Sequence, residues 1–256
     1  MTMENFDKII QVGIKKAIQH YWKTRTGQLK PGRRGGKVRD QGKRAEVTGG
    51  KQLDGFLWVV RDLLEEAGIA DAQVFTGQID SYLPGYFRPT KRWDLLAIAD
   101  DNLLACIEVK SHAGPSYGNN FNNRIEEAVG NAHDFWRAYK EGAFKTQMKP
   151  FLGYLMLLEN DNASTRPVGV NEPHFKVLPE FRDASYAKRY QIFCEKAFRE
   201  GLYDATAFLM SDKTGGLKGE YIEPSGELSF RKLAAAIYGR AVAYCKQRES
   251  SEKKTS

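Results

Sequence analysis

Apolar side chains recur along this chain of 256 residues with two periods, one typical of helices and one of strands. Between residues 4 and 22 they return every three or four positions, as on one face of an α-helix. The same spacing predicts four further helices, over 51–67, 121–142, 185–200 and 228–247. Shorter apolar runs predict strands over 74–75, 93–99, 103–110, 151–158 and 206–210.

Strands that alternate with helices predict an α/β fold, with a mixed central β-sheet flanked by helices on both faces. The length suits one large domain, and we expect residues 1–256 to form it. A Gly-rich segment at about 26–50 is expected as a loop, and a polar tail begins at about 248. With no apolar run near the roughly 20 residues that cross a bilayer, and no signal-peptide core, we expect a cytoplasmic protein.

Positive charge is concentrated in the first fifth of the chain. The formal net charge is +7, and residues 1–50 hold twelve Lys or Arg against four Asp or Glu, so the rest is close to neutral. A basic segment beside a neutral body fits a polyanion such as DNA, because phosphate contacts release condensed counterions. The alternative is a solvated basic loop. The side chains expected to contact phosphate are Arg33, Arg34, Lys37 and Arg39.

The cysteines and histidines offer little chemistry. Three cysteines far apart fit neither a disulfide framework nor a zinc site, so we expect buried small apolar residues; they are Cys106, Cys194 and Cys245. The four histidines form no metal-binding pair at helical spacing. His112 alone is a candidate for DNA contact, because it follows the last residues of a predicted strand.

The clearest hairpin joins the predicted strands 93–99 and 103–110 through Asp100-Asp101-Asn102. We expect a three-residue loop that pairs residue 99 with residue 103. Such loops usually end in a left-handed residue, a conformation that Asn102 tolerates well. A two-residue loop would instead shift the register by one residue and turn the side chains of one strand to the other face.

In the expected register, Asp94 lies opposite Glu108, with β-carbons roughly 4.5–5.5 Å apart. Lys110 shares their face, because side chains alternate along a strand. Opposed carboxylates on an apolar sheet are costly unless a cation joins them, and ligands that are all oxygen favour Mg²⁺. Lys110 can then orient or deprotonate an attacking water. The alternative is a surface ion pair of Glu108 with Lys110 at a frayed strand end.

Asp94, followed after a hairpin by Glu108-Val109-Lys110, resembles the signature of the PD-(D/E)XK nuclease superfamily, although Trp93 stands where a proline often does. Other segments resemble the XhoI family of type II restriction endonucleases and keep its order and spacing over roughly residues 30–245. These segments are residues 49–56, 114–127 and 179–190.

The resemblance implies a Mg²⁺-dependent restriction endonuclease whose catalytic residues are Asp94, Glu108 and Lys110. The metal ligands would come from Asp94, Glu108 and the Val109 carbonyl. It further implies a homodimer that cuts double-stranded DNA at the palindrome CTCGAG after the first C, leaving 5′ overhangs. A cognate DNA methyltransferase would complete the restriction-modification system. Asp54 is a candidate for an additional acidic group, although a first helical turn also favours Asp through its dipole.

An Asn-rich stretch after the second strand is a candidate for DNA contact. Asn can pair with adenine, and Arg with guanine or phosphate, although Asn also suits turns and helix caps. These residues are Asn119, Asn120, Asn122, Asn123 and Arg124, and residues 213–218 are a weaker candidate. Two other functions stay open: a repair or recombination nuclease of the same superfamily, which recognises DNA structure, and a DNA-binding module without catalysis.

Overall fold

The computed structural model describes residues 1–28, 51–70, 73–77, 79–144 and 148–255, the last five of these by their backbone alone. Most of the basic Gly-rich segment lies outside these ranges. The four phosphate-contact candidates within it, Arg33, Arg34, Lys37 and Arg39, therefore stay predictions.

A five-stranded mixed sheet lies at the centre, with strand order β1-β4-β5-β6-β7. The strands β1, β4 and β5 are antiparallel, whereas β5, β6 and β7 are parallel. A separate antiparallel pair, β2 with β3, was not predicted from the sequence. The bounds are β1 (Val74–Thr76), β2 (Tyr82–Pro84), β3 (Thr90–Arg92), β4 (Leu95–Ala99), β5 (Asn102–His112), β6 (Phe151–Glu159) and β7 (Ala205–Ser211).

Helices cover both faces of the sheet, which confirms the predicted α/β architecture. Their bounds are α1 (Met3–Gln28), α2 (Asp54–Glu66), α3 (Tyr117–Lys140), α4 (Asn162–Thr165), α5 (Tyr186–Arg199), α6 (Lys213–Gly216) and α7 (Phe230–Thr255). Short 3₁₀ turns lie at Pro179–Phe181 and Gly226–Leu228. One apolar cluster joins α1, α2 and α7 to one face, and a second joins α3 and α5 to the other. Among the helices described, none is long and apolar enough to cross a membrane.

The strand β6 shows how the sheet divides the core. Leu155 and Leu157 pack in the cluster of α1, α2 and α7, while Tyr154, Met156 and Leu158 pack in the cluster of α3 and α5. A strand buried on both faces needs apolar side chains at every position. This is why residues 151–158 form a continuous apolar run rather than an alternating one.

Helix α2 approaches α1 closely at Gly55. A β-carbon built there would lie 2.7 Å from the Ala17 Cα. Glycine within a helix costs about 1 kcal/mol relative to alanine, and here the close contact requires it. Of the three cysteines, Cys106 and Cys194 are buried as expected and Cys245 is partly exposed; all are free thiols.

Several helices run further than the sequence predicts. Helix α1 continues to Gln28, α3 starts four residues early at Tyr117, and α7 continues to Thr255 through the expected polar tail. Between β7 and α7, the short helix α6 and the 3₁₀ turn at Gly226–Leu228 were not predicted from the sequence.

The turn between β4 and β5 differs from the predicted one. Ala99 pairs with Asn102, so the loop has two residues rather than three. These residues, Asp100 and Asp101, have φ angles of 49° and 60°, as the common two-residue hairpin turn requires. The expectation of a left-handed Asn102 in a three-residue loop is therefore wrong.

A β-bulge at Leu104 compensates for the shorter turn. Ile98 pairs with Leu103, but the preceding residue Ala97 pairs with Ala105, so Leu104 is one extra residue on β5. Leu104 and Ala105 consequently pack in the same core cluster instead of on opposite faces. Beyond the bulge, the register is the one that the sequence predicts for a three-residue loop.

Candidate active site

The register beyond the bulge brings Asp94 and Glu108 together. Leu95 pairs with Ile107, so Asp94, the residue before β4, comes next to Glu108 on β5. The Asp94 Oδ2 accepts a hydrogen bond of 2.7 Å from the Val109 backbone N–H. Asp94 immediately precedes β4, and its side chain accepts the hydrogen bond of β5 that a backbone carbonyl of β4 would otherwise accept.

Glu108 is only 1% exposed, and both of its oxygens have partners. Oε1 forms an ion pair with Lys110 and accepts a long hydrogen bond, 3.5 Å, from Asn131 Nδ2. Oε2 forms an ion pair with Lys91 Nζ at 2.9 Å. The alternative of a surface ion pair at a frayed strand end fails, because Glu108 is buried and β5 continues to His112.

The two carboxylates differ in their pKa. Burial raises the pKa of Asp94 to about 6, and the negative charge of Glu108 adds to this effect. Burial acts on Glu108 in the same direction, but Lys110 and Lys91 outweigh it and lower the pKa of Glu108. The pKa of Lys110 is raised, because the attraction of Glu108 and Asp94 exceeds the opposing effect of burial.

These residues fit a Mg²⁺ site. The negative charge of Glu108 raises the pKa of Asp94, and a divalent cation between the two carboxylates would remove that repulsion. The Val109 N–H points to Asp94, and the N–H and C=O of one strand residue face the same edge, so the carbonyl faces Asp94 as well. Within the described ranges, no three His, Cys, Asp or Glu residues cluster as ligands. Mg²⁺ needs only one or two carboxylates beside water and phosphate.

Among the described residues, Asp54 forms no group of metal ligands with Asp94 and Glu108. It lies in the first turn of α2, and the charges that act on it are those of His20 and Lys51. Burial raises its pKa. Its position agrees with the simpler interpretation of an acid in a first helical turn.

Lys91 is a site residue that sequence reasoning missed. It belongs to β3, and its side chain is 11% exposed. Its Nζ donates to the Arg92 carbonyl at 2.9 Å and lies 4.1 Å from the centre of the Trp93 ring. A strand of three residues leaves too short a pattern to be predicted, so no signal in the sequence indicated its orientation.

Asn131 is a second missed residue, and here a signal existed. Ala128, Ala132 and Phe135 form the buried stripe of α3, and Asn131 lies within that stripe. A polar residue on an apolar helix face needs a buried partner. Its partners are Glu108 and the Arg88 side chain, whose Nη2 donates to Asn131 Oδ1 at 2.7 Å.

The loop between β2 and β3 is fixed to α3 by Asp134. Asp134 accepts the backbone N–H groups of Tyr86 and Phe87 at 2.8 and 2.7 Å, and Arg88 Nε at 2.8 Å. Since Arg88 also contacts Asn131, hydrogen bonds connect this loop to the partner of Glu108. The same contacts hold the strand that carries Lys91.

The Asn-rich DNA-binding candidates form the first turns of α3. All four asparagines, Asn119, Asn120, Asn122 and Asn123, are exposed. Arg124 is partly exposed and pairs with Glu127 at 2.9 Å. The positive charge of Arg124 acts on Lys110, and the same helix reaches Glu108 further along through Asn131.

His112 is not available to DNA. It is 3% exposed, and its Nδ1 is hydrogen-bonded to the Tyr190 hydroxyl at 2.8 Å. Burial lowers its pKa to about 4, so it is neutral at physiological pH. The suggestion that it contacts DNA is therefore wrong.

Comparison with known proteins places the chain in a family. The family model described as restriction endonuclease XhoI matches residues 31–223. The type II restriction enzyme BstVI of Geobacillus stearothermophilus is 53% identical over 195 residues, which cover 74% of this chain and 87% of the relative. The type II restriction enzyme XhoI of Xanthomonas vasicola is 40% identical over 203 residues, covering 78% and 79%.

A third relative, the type II restriction enzyme AbrI of Azospirillum brasilense, is 44% identical over 162 residues, covering 63% of this chain and 72% of the relative. The comparison with solved structures gave no match. From its sequence relatives and the family model, the chain belongs to the XhoI family of type II restriction endonucleases.

Proposed function

We propose that this protein is a site-specific endonuclease that cuts double-stranded DNA at CTCGAG after the first C and leaves 5′ overhangs. The observation that carries the nuclease activity is the buried pair Asp94 and Glu108 with Lys110 on the same face. The resemblance to the XhoI family supports the target sequence.

Mg²⁺ would be held by Asp94, Glu108 and the Val109 carbonyl. When bound, it supplies a Lewis acid that polarises a phosphoryl oxygen and lowers the pKa of water. The Lys110 ammonium orients the attacking water and offsets the negative charge that develops on the phosphoryl group. Attack in line with the leaving oxygen gives a 5′-phosphate and a 3′-hydroxyl.

The exposed asparagines at the start of α3 are proposed to contact DNA, with Arg124 and the basic residues of 26–50 on phosphates. A palindromic target requires two-fold symmetry, so we propose a homodimer. A methyltransferase of the same specificity would protect the host DNA. Restriction acts on DNA that enters the cell, and we place the enzyme in the cytoplasm.

The catalytic assignment is tested with Asp94→Ala and Lys110→Ala. Each variant should lose plasmid cleavage in Mg²⁺ by at least about a hundredfold, while its affinity for target DNA changes little, because the metal and water are lost but the DNA-contact surface stays. The exposed Lys232, which pairs with Glu227 on the surface, provides the control Lys232→Ala. Cleavage near the normal rate by either site variant would show that the assignment is wrong.

The target is tested by digesting phage λ DNA and sequencing the cut ends by run-off. We expect discrete fragments, each ending within CTCGAG after the first C. Discrete fragments with other ends would show a different target. Cutting only at branched or damaged DNA would indicate a structure-specific nuclease, and DNA binding without metal-dependent cutting would indicate a non-catalytic module.

A further inference from the structure

Two ammonium groups share one buried carboxylate in this site. Lys110 holds Glu108 Oε1 and Lys91 holds Glu108 Oε2 at 2.9 Å. Each oxygen of Glu108 therefore already has a cationic partner in the position from which a metal ion would approach. A divalent cation bound to either oxygen would lie close to an ammonium group and would be repelled by it.

The balance of charges indicates that a lysine is the partner that leaves. The site contains two carboxylates, Asp94 and Glu108, and two ammonium groups, Lys91 and Lys110, so its net charge without a metal is zero. A divalent cation added to this set would leave two uncompensated positive charges in a buried site, which is costly. If one lysine leaves, a single phosphodiester of the substrate balances the remainder.

We propose that Lys91 is an internal cation that neutralises Glu108 while the metal site is empty and releases Glu108 Oε2 when Mg²⁺ enters. The proposal rests on the proposed function, because it requires Asp94 and Glu108 to be metal ligands. Lys91 then acts as a positioning residue that keeps the carboxylate ordered and makes metal entry an exchange of one cation for another.

Lys91 is better suited to leave than Lys110. Lys110 comes from β5 itself, whereas Lys91 comes from the separate pair β2–β3. The flexible four-carbon stem of Lys91 lets its ammonium move without a change in the backbone. The backbone is fixed in any case, because Asp134 holds the adjoining loop through Arg88.

The first experiment titrates Mg²⁺ into the protein without DNA and measures binding by calorimetry. Lys91→Met keeps an unbranched apolar stem over Trp93 and removes the charge, so Mg²⁺ should bind about tenfold more tightly than to the wild type. The control is Lys149→Met, because Lys149 likewise pairs with a carboxylate, Asp204, at 2.6 Å and lies over a Trp ring. Its Mg²⁺ affinity should not change. Lys91→Gln repeats the test in a second side chain.

The second experiment uses the wild-type protein and does not depend on any variant folding. Brief acetylation with an amine-reactive ester, read by mass spectrometry, measures the accessibility of each lysine with and without Mg²⁺. Labelling of Lys91 should rise several-fold on Mg²⁺ addition, whereas labelling of Lys149 should stay constant.

The outcomes distinguish the proposed release of Lys91 from the proposed metal site on which it depends. If Mg²⁺ binds to the wild type but the labelling of Lys91 stays unchanged or falls, Lys91 remains paired with Glu108. That result would overturn the proposed exchange and leave the metal site supported. Equal affinity in wild type and Lys91→Met would do the same. Mg²⁺ binding to neither protein would overturn the metal site and the exchange together.

Discussion

Asp94 and Glu108 are neighbouring carboxylates with opposite electrostatic surroundings. Each oxygen of Glu108 forms an ion pair with a lysine, while Asp94 accepts a hydrogen bond from the backbone N–H of Val109. Burial therefore penalises the charge on Asp94, whose pKa rises to about 6, whereas the lysines keep Glu108 ionised. A cofactor cation would relieve Asp94 more than Glu108.

This difference predicts a pH-dependent stability for Asp94→Asn. Folding raises the pKa of Asp94 from 3.8 to about 6, so the ionised form destabilises the metal-free protein, and this cost appears as the pH rises through 6. In EDTA at pH 8 the variant should be more stable by about 2 kcal/mol. The advantage should shrink below pH 6 and be mostly lost at pH 4, where Asp94 is protonated in the folded chain and about two-fifths protonated in the unfolded one.

Urea unfolding of both proteins between pH 4 and 8 measures the difference. The asparagine side chain can still accept the Val109 N–H, so that bond is retained in the comparison. A variant that is less stable than the wild type at pH 8, or equally stable at every pH, would contradict the electrostatic account of Asp94.

At the scale of elements, the hairpin β4–β5 sets the register of the site through two compensating features. The two-residue turn alone would put Glu108 on the face opposite to Asp94. The extra residue at Leu104 brings Glu108 back to the face on which Asp94 lies. Either feature without the other would turn Glu108 and Lys110 into the cluster of α1, α2 and α7.

The turn itself is strained at two non-glycine residues, and this predicts the effect of Asp101→Gly. Glycine removes the cost of the left-handed conformation, so the variant should be more stable by about 0.5–1 kcal/mol, with DNA cleavage unchanged. The midpoint of urea unfolding measures it. Asp101 makes no hydrogen bond or ion pair through its side chain with other described residues, so nothing else is lost.

Asp100→Gly is the matched control for this prediction. Asp100 also has a positive φ, but its Oδ2 accepts the Tyr244 hydroxyl at 2.7 Å. Loss of that bond should offset the relief of strain, leaving little or no gain. A clear stabilisation by Asp100→Gly together with none by Asp101→Gly would contradict the strain assigned to the two turn residues.

At the scale of the whole molecule, the uneven charge distribution predicts how DNA binding depends on salt. Replacing Arg33 and Arg34 together by Gln should reduce the slope of log affinity against log salt by about two, because two phosphate contacts are lost. The control replaces Lys232 and Lys246, which pair with surface acids on or next to α7. Fluorescence anisotropy measures both; an unchanged slope in the arginine variant would remove the segment from the interface.

Most of the sheet and its helices could be predicted because their patterns are long. The apolar run of β6 matches the structure closely, and the helical stripe of α1 predicts its helix except for the last turns, up to Gln28. The three-residue strands β2 and β3 could not be predicted, because they are too short to show a period. The turn and the bulge were missed for a related reason: each shifts the register by one residue, and together they leave the pattern unchanged.

The sequence by itself determined the α/β class and the family resemblance, because these depend on periodicity and on residue types at fixed spacing. The pairing of Asp94 with Glu108 was expected from a turn that the protein does not have, and it depends on the bulge at Leu104. Only the tertiary structure decided the partners of Glu108. Lys91 and Asn131 reach it from a separate hairpin and from α3, 17 and 23 residues away in the chain. Such contacts depend on how elements pack, which no local pattern records, and they decide how the site keeps its charge balanced.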